Sequence, residues 1–267
     1  MFLTKKSIFK IVLMGVMYFL VGSISLAMGV HFNTQGIYAS PLFVIGVVLY
    51  LLCPLFVLWG RYAEGMGKIS KKYIGVLREG LRPAEFIKEY EDLTGSSDLV
   101  VCKPGLDALL FVAIAYDCLG EHDMAISFAK EAIAVAPVKK KARATLFLVS
   151  ILYSCGRTDE AERLFDEVQK TKLDLSSRAL ADVIRRADRA MAIGDYKTAI
   201  STVRAQLEQK FPKPDNLARL ALHYDLAVAH EKLGDTENAV TYYRYCAEHG
   251  GETAIRSSAK KALERLQ

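Results

Sequence analysis

"YDCLGEHDMAISFAKEAIAVAP", running from Tyr116 to Pro137, decides the fold. Gly120 is followed five residues later by Ala125, with Ala132 seven further on and Pro137 five beyond that. Apolar residues on both sides of the glycine recur at helical spacing, which predicts a helix, a tight turn and a second helix. The glycine supplies a left-handed turn conformation that other residues adopt only at a cost. The alanine stands where the two helices touch, and a larger side chain would push them apart. Pro137 ends the second helix and turns the chain onward.

The same spacing returns three times. "GRTDEAERLFDEV" places Gly156, Ala161, Phe165 and Val168 at equivalent intervals; "GDYKTAISTVRAQ" places Gly194, Ala199 and Val203; "GDTENAVTYYRYC" places Gly234, Ala239, Tyr243 and Cys246. An apolar-periodic helix precedes each turn, predicted over 106–119, 142–155, 175–193 and 216–233. The turn glycines lie 36, 38 and 40 residues apart, and internal periods of this size mark α-solenoids. An acid near the start of each following helix suits its N-terminal dipole. The tail "ETAIRSSAKKALERL" puts Ile255, Ala259, Ala262, Leu263 and Leu266 on one stripe with a polar opposite side, as a terminal cap requires. "RPAEFIKEYEDLTG" predicts one more helix, from Pro83 to a stop at Gly95, either a cap for the other end or the remnant of a further repeat.

These residues resemble the tetratricopeptide repeat family over about 104–249, and the first unit fits best through Tyr116, Gly120, Ala125, Ala132 and Pro137. The chain departs from the pattern in several places. Its period exceeds the family's roughly 34 residues, the bulky opening aromatic is missing, the last three units lack the closing proline in register, and Arg186 stands where a leucine is usual. The loops "TKLDLSS" and "FPKPDN" take up extra length. The resemblance implies an all-α fold: about four helix pairs stacked as an α-solenoid with a C-terminal capping helix, over 104–267. Its inner wall would come from the first helix of each pair: Leu110, Ile114 and Asp117; Leu146, Ser150 and Tyr153; Ile184, Asp188 and Met191; Tyr224, Val228 and Glu231. Such an apolar floor with a few acids suits an amphipathic helix or extended peptide of a protein partner. Leu110 and Ile114 occupy the places of the Lys and Asn clamp used by chaperone-tail-binding relatives, so a free carboxylate tail is not the expected ligand.

Net charge of +5 looks like a hint of nucleic-acid binding, but its distribution says otherwise. Lys5, Lys6 and Lys10 open the chain, 11–60 carry no Asp, Glu, Lys or Arg, and 61–82 hold six basic side chains against Glu64 and Glu79. The remaining 83–267 are slightly acidic and lack the basic density that a phosphate-binding face needs. "IVLMGVMYFLVGSISLAMGV" (Ile11–Val30) and "LFVIGVVLYLLCPLFVLW" (Leu42–Trp59) are each long enough for a hydrocarbon core of ~30 Å. They predict a two-helix transmembrane hairpin over 1–60, and basic flanks on both outer sides put the termini and the repeats in the cytoplasm. A bacterial inner membrane fits these flanks most simply; cleavage of the first segment as a signal peptide, near "SLAM", is the rival reading. Gly15, Gly22 and Gly29 form a small-residue stripe that packs either on the second helix or in a homodimer. Between hairpin and repeats, 61–103 reads as basic juxtamembrane and linker helices, where "GKISKKYIGVLREGL" either lies on an anionic leaflet or packs its apolar side on the next domain.

No cofactor or metal is expected. The chain has no phosphate loop and no nucleophile elbow. Its five cysteines are scattered without metal spacing and read as free thiols. His223 and His230 sit seven apart, where the repeat pattern wants packing groups, and read as core in preference to a metal pair. The expected function is a non-enzymatic, membrane-anchored interaction scaffold or adaptor. The alternative is a non-catalytic regulatory subunit of a membrane-bound enzyme or an envelope-assembly complex.

Overall fold

The structure, a computed structural model, describes residues 13, 16, 17, 73–95, 105–210 and 213–266. Those residues are helical or in turns, with no strand among them. A helical stretch over 73–78 is followed by α1 (Pro83–Gly95), α2 (Leu106–Cys118), α3 (His122–Val135), α4 (Val138–Ser154) and α5 (Thr158–Gln169). Then come α6 (Leu175–Arg186), α7 (Asp188–Ile193), α8 (Tyr196–Leu207), α9 (Asn216–Lys232), α10 (Thr236–His249) and α11 (Ala254–Leu266). Tyr73–Thr94 and Lys103–Gln267 form one compact unit; a second, Phe2–Lys72 with Gly95–Cys102, lies almost wholly outside the described residues.

Four helix pairs (α2/α3, α4/α5, α6–α7/α8 and α9/α10) share one turn. Gly120, Gly156, Gly194 and Gly234 have φ between 77° and 83°. In each case two backbone bonds close the preceding helix: Gly120 N–H donates to Asp117 O at 2.9 Å and Glu121 N–H to Tyr116 O at 2.9 Å, and the other three turns repeat this pair. This left-handed closure satisfies carbonyls that a helix end otherwise leaves unpaired. Asp195 and Asp235 then cap α8 and α10 through side-chain bonds to the N–H groups of Thr198 and Asn238, as do Asp174 and Asp215 for α6 and α9. Ala125, Ala161, Ala199 and Ala239, five residues past the glycines, are all fully buried. Phe165, Val203 and Tyr243 fill the space one turn further on.

The predicted single helix over 175–193 is broken. Ala187 leaves helical geometry at φ −108°, ψ −73° and divides it into α6 and α7. The break keeps Ala187 in the core with Val203 and Leu226, and Asp188 accepts a bond from Ser150 of the preceding pair at 2.6 Å. The tail helix α11 packs as expected through Ala259 and Ala262, with Ile255, Leu263 and Leu266 around them.

The array also closes on itself. Leu77, Phe86 and Ile87 pack on Val112 and Ala115 of α2, in a cluster that Leu217 of α9 joins. Leu81 packs with Leu220, Cys246 and Ala259 of the fourth pair and its cap. At Gly120 an added Cβ would lie 3.4 Å from the Cβ of Ala254, at the start of α11. First and last repeats are therefore neighbours. Of the two roles open to the basic amphipathic stretch, its described part, 73–81, packs its apolar side on the repeats.

The integral-membrane localisation expected from the sequence is corrected. Among the described residues no helix is long and apolar enough to cross a membrane. Crossing takes about 20 consecutive apolar residues, whereas α4 and α9, at 17 residues each, carry Lys139, Lys140, Lys141 and Arg143, and Arg219, Asp225, Glu231 and Lys232. The segments 11–30 and 42–59 and the Gly15/Gly22/Gly29 stripe lie outside the described residues, apart from Leu13, Val16 and Met17.

Replacing Ala239 by Leu should cost about 1–3 kcal/mol, because the extra methylenes have no space between α9 and α10. Gly156→Ala should cost about 1 kcal/mol from its left-handed backbone alone, since nothing lies within 4 Å of its added Cβ. Chemical denaturation of both variants checks the ranking.

Candidate functional site

One face of the first helices in each pair stays partly open. Neighbouring pairs are joined across it by polar side chains. Asp117 of α2 is held by His122 Nδ1 at 3.0 Å, and Ser154 of α4 donates to it at 3.4 Å. Ser150 of α4 donates to Asp188 of α7. Asp225 of α9 comes next, close enough to Asp188 for each charge to disfavour the other. Position along the helix explains this strip: Ser150 and Asp188 both stand six residues before their turn glycine, and Asp225 stands nine before its own.

Both carboxyls keep some surface open, yet the surrounding helices displace enough water to penalise charge. Burial pushes Asp188 up to about 6, against the bond from Ser150. Burial first, and the Asp188 charge second, push Asp225 up to about 8. Burial also raises Asp117, opposed by His122 and Ser154. The strip therefore has spare capacity for a cation: among the described residues Asp188 and Asp225 have no basic partner, whereas Asp117 has His122.

The twelve residues expected to line a groove divide four ways. Leu110, Leu146, Tyr153 and Ile184 are buried between helices, at 8%, 0%, 7% and 1% exposure. Tyr224, Val228 and Glu231 face α11: the first two join its apolar cluster, and Glu231 is bound by Tyr243 Oη at 2.6 Å and by Arg265. Ile114 packs toward Leu77 and Phe86. Asp117, Ser150, Asp188 and Met191 keep partial exposure. Asp225, missed by the sequence reading, was visible as an acid within an otherwise apolar stretch of α9.

Both histidines of α9 have other partners. His230 is buried, with Nδ1 2.8 Å from Asp235 and Nε2 3.2 Å from Arg204. His223 lies against Tyr245 at a centroid distance of 3.9 Å. Among the described residues no group of three or more His, Cys, Asp and Glu could hold a metal ion. Cys118, Cys155 and Cys246 are free, and burial pushes the thiols of Cys118 and Cys246 up to about 12. Arg186, the departure from the expected leucine, lines a shallow cleft of about 230 Å³ with Asp182, Thr202 and Gln206, between α6 and α8.

A family model described as tetratricopeptide repeat matches residues 220–248, which is the fourth pair rather than the first. The match covers one helix pair of the four, and a repeat of this kind suggests a role in protein–protein interaction. No curated protein and no solved structure matches the chain.

The raised carboxyls set a pH dependence. An acid with a higher pKa folded than unfolded (about 3.9 for Asp) stabilises the fold at low pH, and this is lost as pH rises through the folded value. Stability should therefore fall from about pH 4 to about pH 8 through Asp225, with Asp188 contributing up to about pH 6. Asp225→Asn should flatten that decline and raise the melting midpoint at pH 8, by about 2–4 °C for each kcal/mol relieved. Equal wild-type midpoints at pH 5 and pH 8 would contradict the burial of these acids.

Proposed function

We propose that the chain is an interaction scaffold that holds a cationic segment of a partner protein against the open face of its repeats. The observation that carries this reading is the strip of Asp117, Ser150, Asp188 and Asp225, contributed by four successive first helices. The side chains around it are committed to packing, so the polar strip, in place of the expected apolar floor, is what remains to select a partner. A lysine or arginine placed between Asp188 and Asp225 restores their charged forms and relieves their mutual repulsion. Helical or extended segments both suit the repeated spacing of the first helices. The role requires no chemical step; holding a partner in place is the activity.

Capture from lysate followed by mass spectrometry tests this with three forms of the chain. Wild type and Leu175→Ala, altered at an exposed side chain on α6 (85% exposed), should recover the same protein. Asp188→Asn with Asp225→Asn should recover at least tenfold less. Undiminished recovery by the double variant would overturn the assignment of the strip.

A further inference from the structure

We infer that the chain supplies its own occupant for the first-repeat end of this face: residues 73–82 form a releasable clasp, and a partner helix of the same chemistry takes its place. This rests on reading the open face as the partner surface.

Phe111 stands nine residues before Gly120, the place that Asp225 holds before Gly234, so it marks the open face of the first repeat. The Arg78 guanidinium lies over the Phe111 ring at 5.9 Å and is 2.6 Å from Asp215, the cap of α9. Asn216 donates to the Glu79 carbonyl at 3.0 Å. A cation–aromatic contact, an acid and an apolar neighbour thus already receive a basic amphipathic helix, and that helix is part of the same chain.

The hold at the clasp's end is narrow. Leu81 is the one non-glycine residue with positive φ among the described residues, at 51°, a conformation that costs a branched side chain. Its carbonyl accepts from Glu252 N–H at 3.0 Å. It fits against Gly251 so closely that an added Cβ would come within 2.5 Å of the Leu81 Cβ. Arg78 is itself half-exposed. The contact therefore combines backbone strain at Leu81 and polar bonds from a half-exposed arginine with two buried leucines, Leu77 and Leu81, so release needs a competing helix that replaces both. A competing helix needs an apolar side chain in the place of Leu77, another in the place of Leu81, and a guanidinium beside the first.

The test uses the 267-residue chain and, as probe, a fluorescent peptide of residues 73–95. Wild type, whose clasp is engaged, should bind the peptide at least tenfold more weakly than Arg78→Glu/Leu81→Gly. Amide exchange over 73–82 should be correspondingly faster in the variant. A peptide carrying Arg78→Glu should bind the variant at least tenfold more weakly than the native peptide. Equal binding by wild type and variant, no binding by either, or indifference to the peptide's arginine would each overturn the proposal. Should the double variant lose its cooperative melt, Gly251→Ala, which crowds Leu81 and strains its own left-handed backbone, is read by the same criteria. No partner enters this experiment, so its outcome is separable from the capture result.

Discussion

Everything in this fold depends on how each first helix ends. A left-handed glycine with two backward N–H bonds reverses the chain within a few residues, and a fully buried alanine five positions later lets the helices come together. Glycine alone would give a turn without a fixed pairing; alanine alone would give close helices without a reason to reverse. Repeated four times, the combination places successive first helices side by side. That adjacency brings Ser150 to Asp188 across 38 residues of sequence.

The array is also continuous at its ends. Helix pairs generally contact their immediate neighbours, with terminal caps closing the stack. Here the N-terminal segment is shared: Leu77 serves the first repeat, Leu81 the fourth. Burial among the first helices raises the pKa of Asp188 and Asp225, because water that would solvate their charge is displaced.

Periodicity made the helix pairs legible, down to the turn glycines and the buried alanines, because both depend on residues close in sequence. The open face was harder to read. Residues ten before the glycine (Leu110, Leu146 and Ile184) were assigned to the groove, but one step along a helix turns a side chain by about 100°. Position ten is buried between helices, while position nine, where Phe111 and Asp225 stand, keeps partial exposure. Glu231 looked like a groove acid because its partners, Tyr243 and Arg265, lie on other helices. The clasp left no periodic trace, since Glu79 and Asn216 meet across 137 residues. Arg186 was noticed as a departure, and its result is local: a cleft where a leucine would have packed.

Closure of the array is the claim on which the rest turns, and spin labels at Arg82 and Glu252 test it most directly. These exposed positions flank the bond between the Leu81 carbonyl and the Glu252 amide. A closed array predicts strong dipolar broadening in the doubly labelled chain, lost on dilution with unfolding denaturant. Spectra equal to the sum of the two single labels under native conditions would show that the first and last repeats stand apart, contradicting the account.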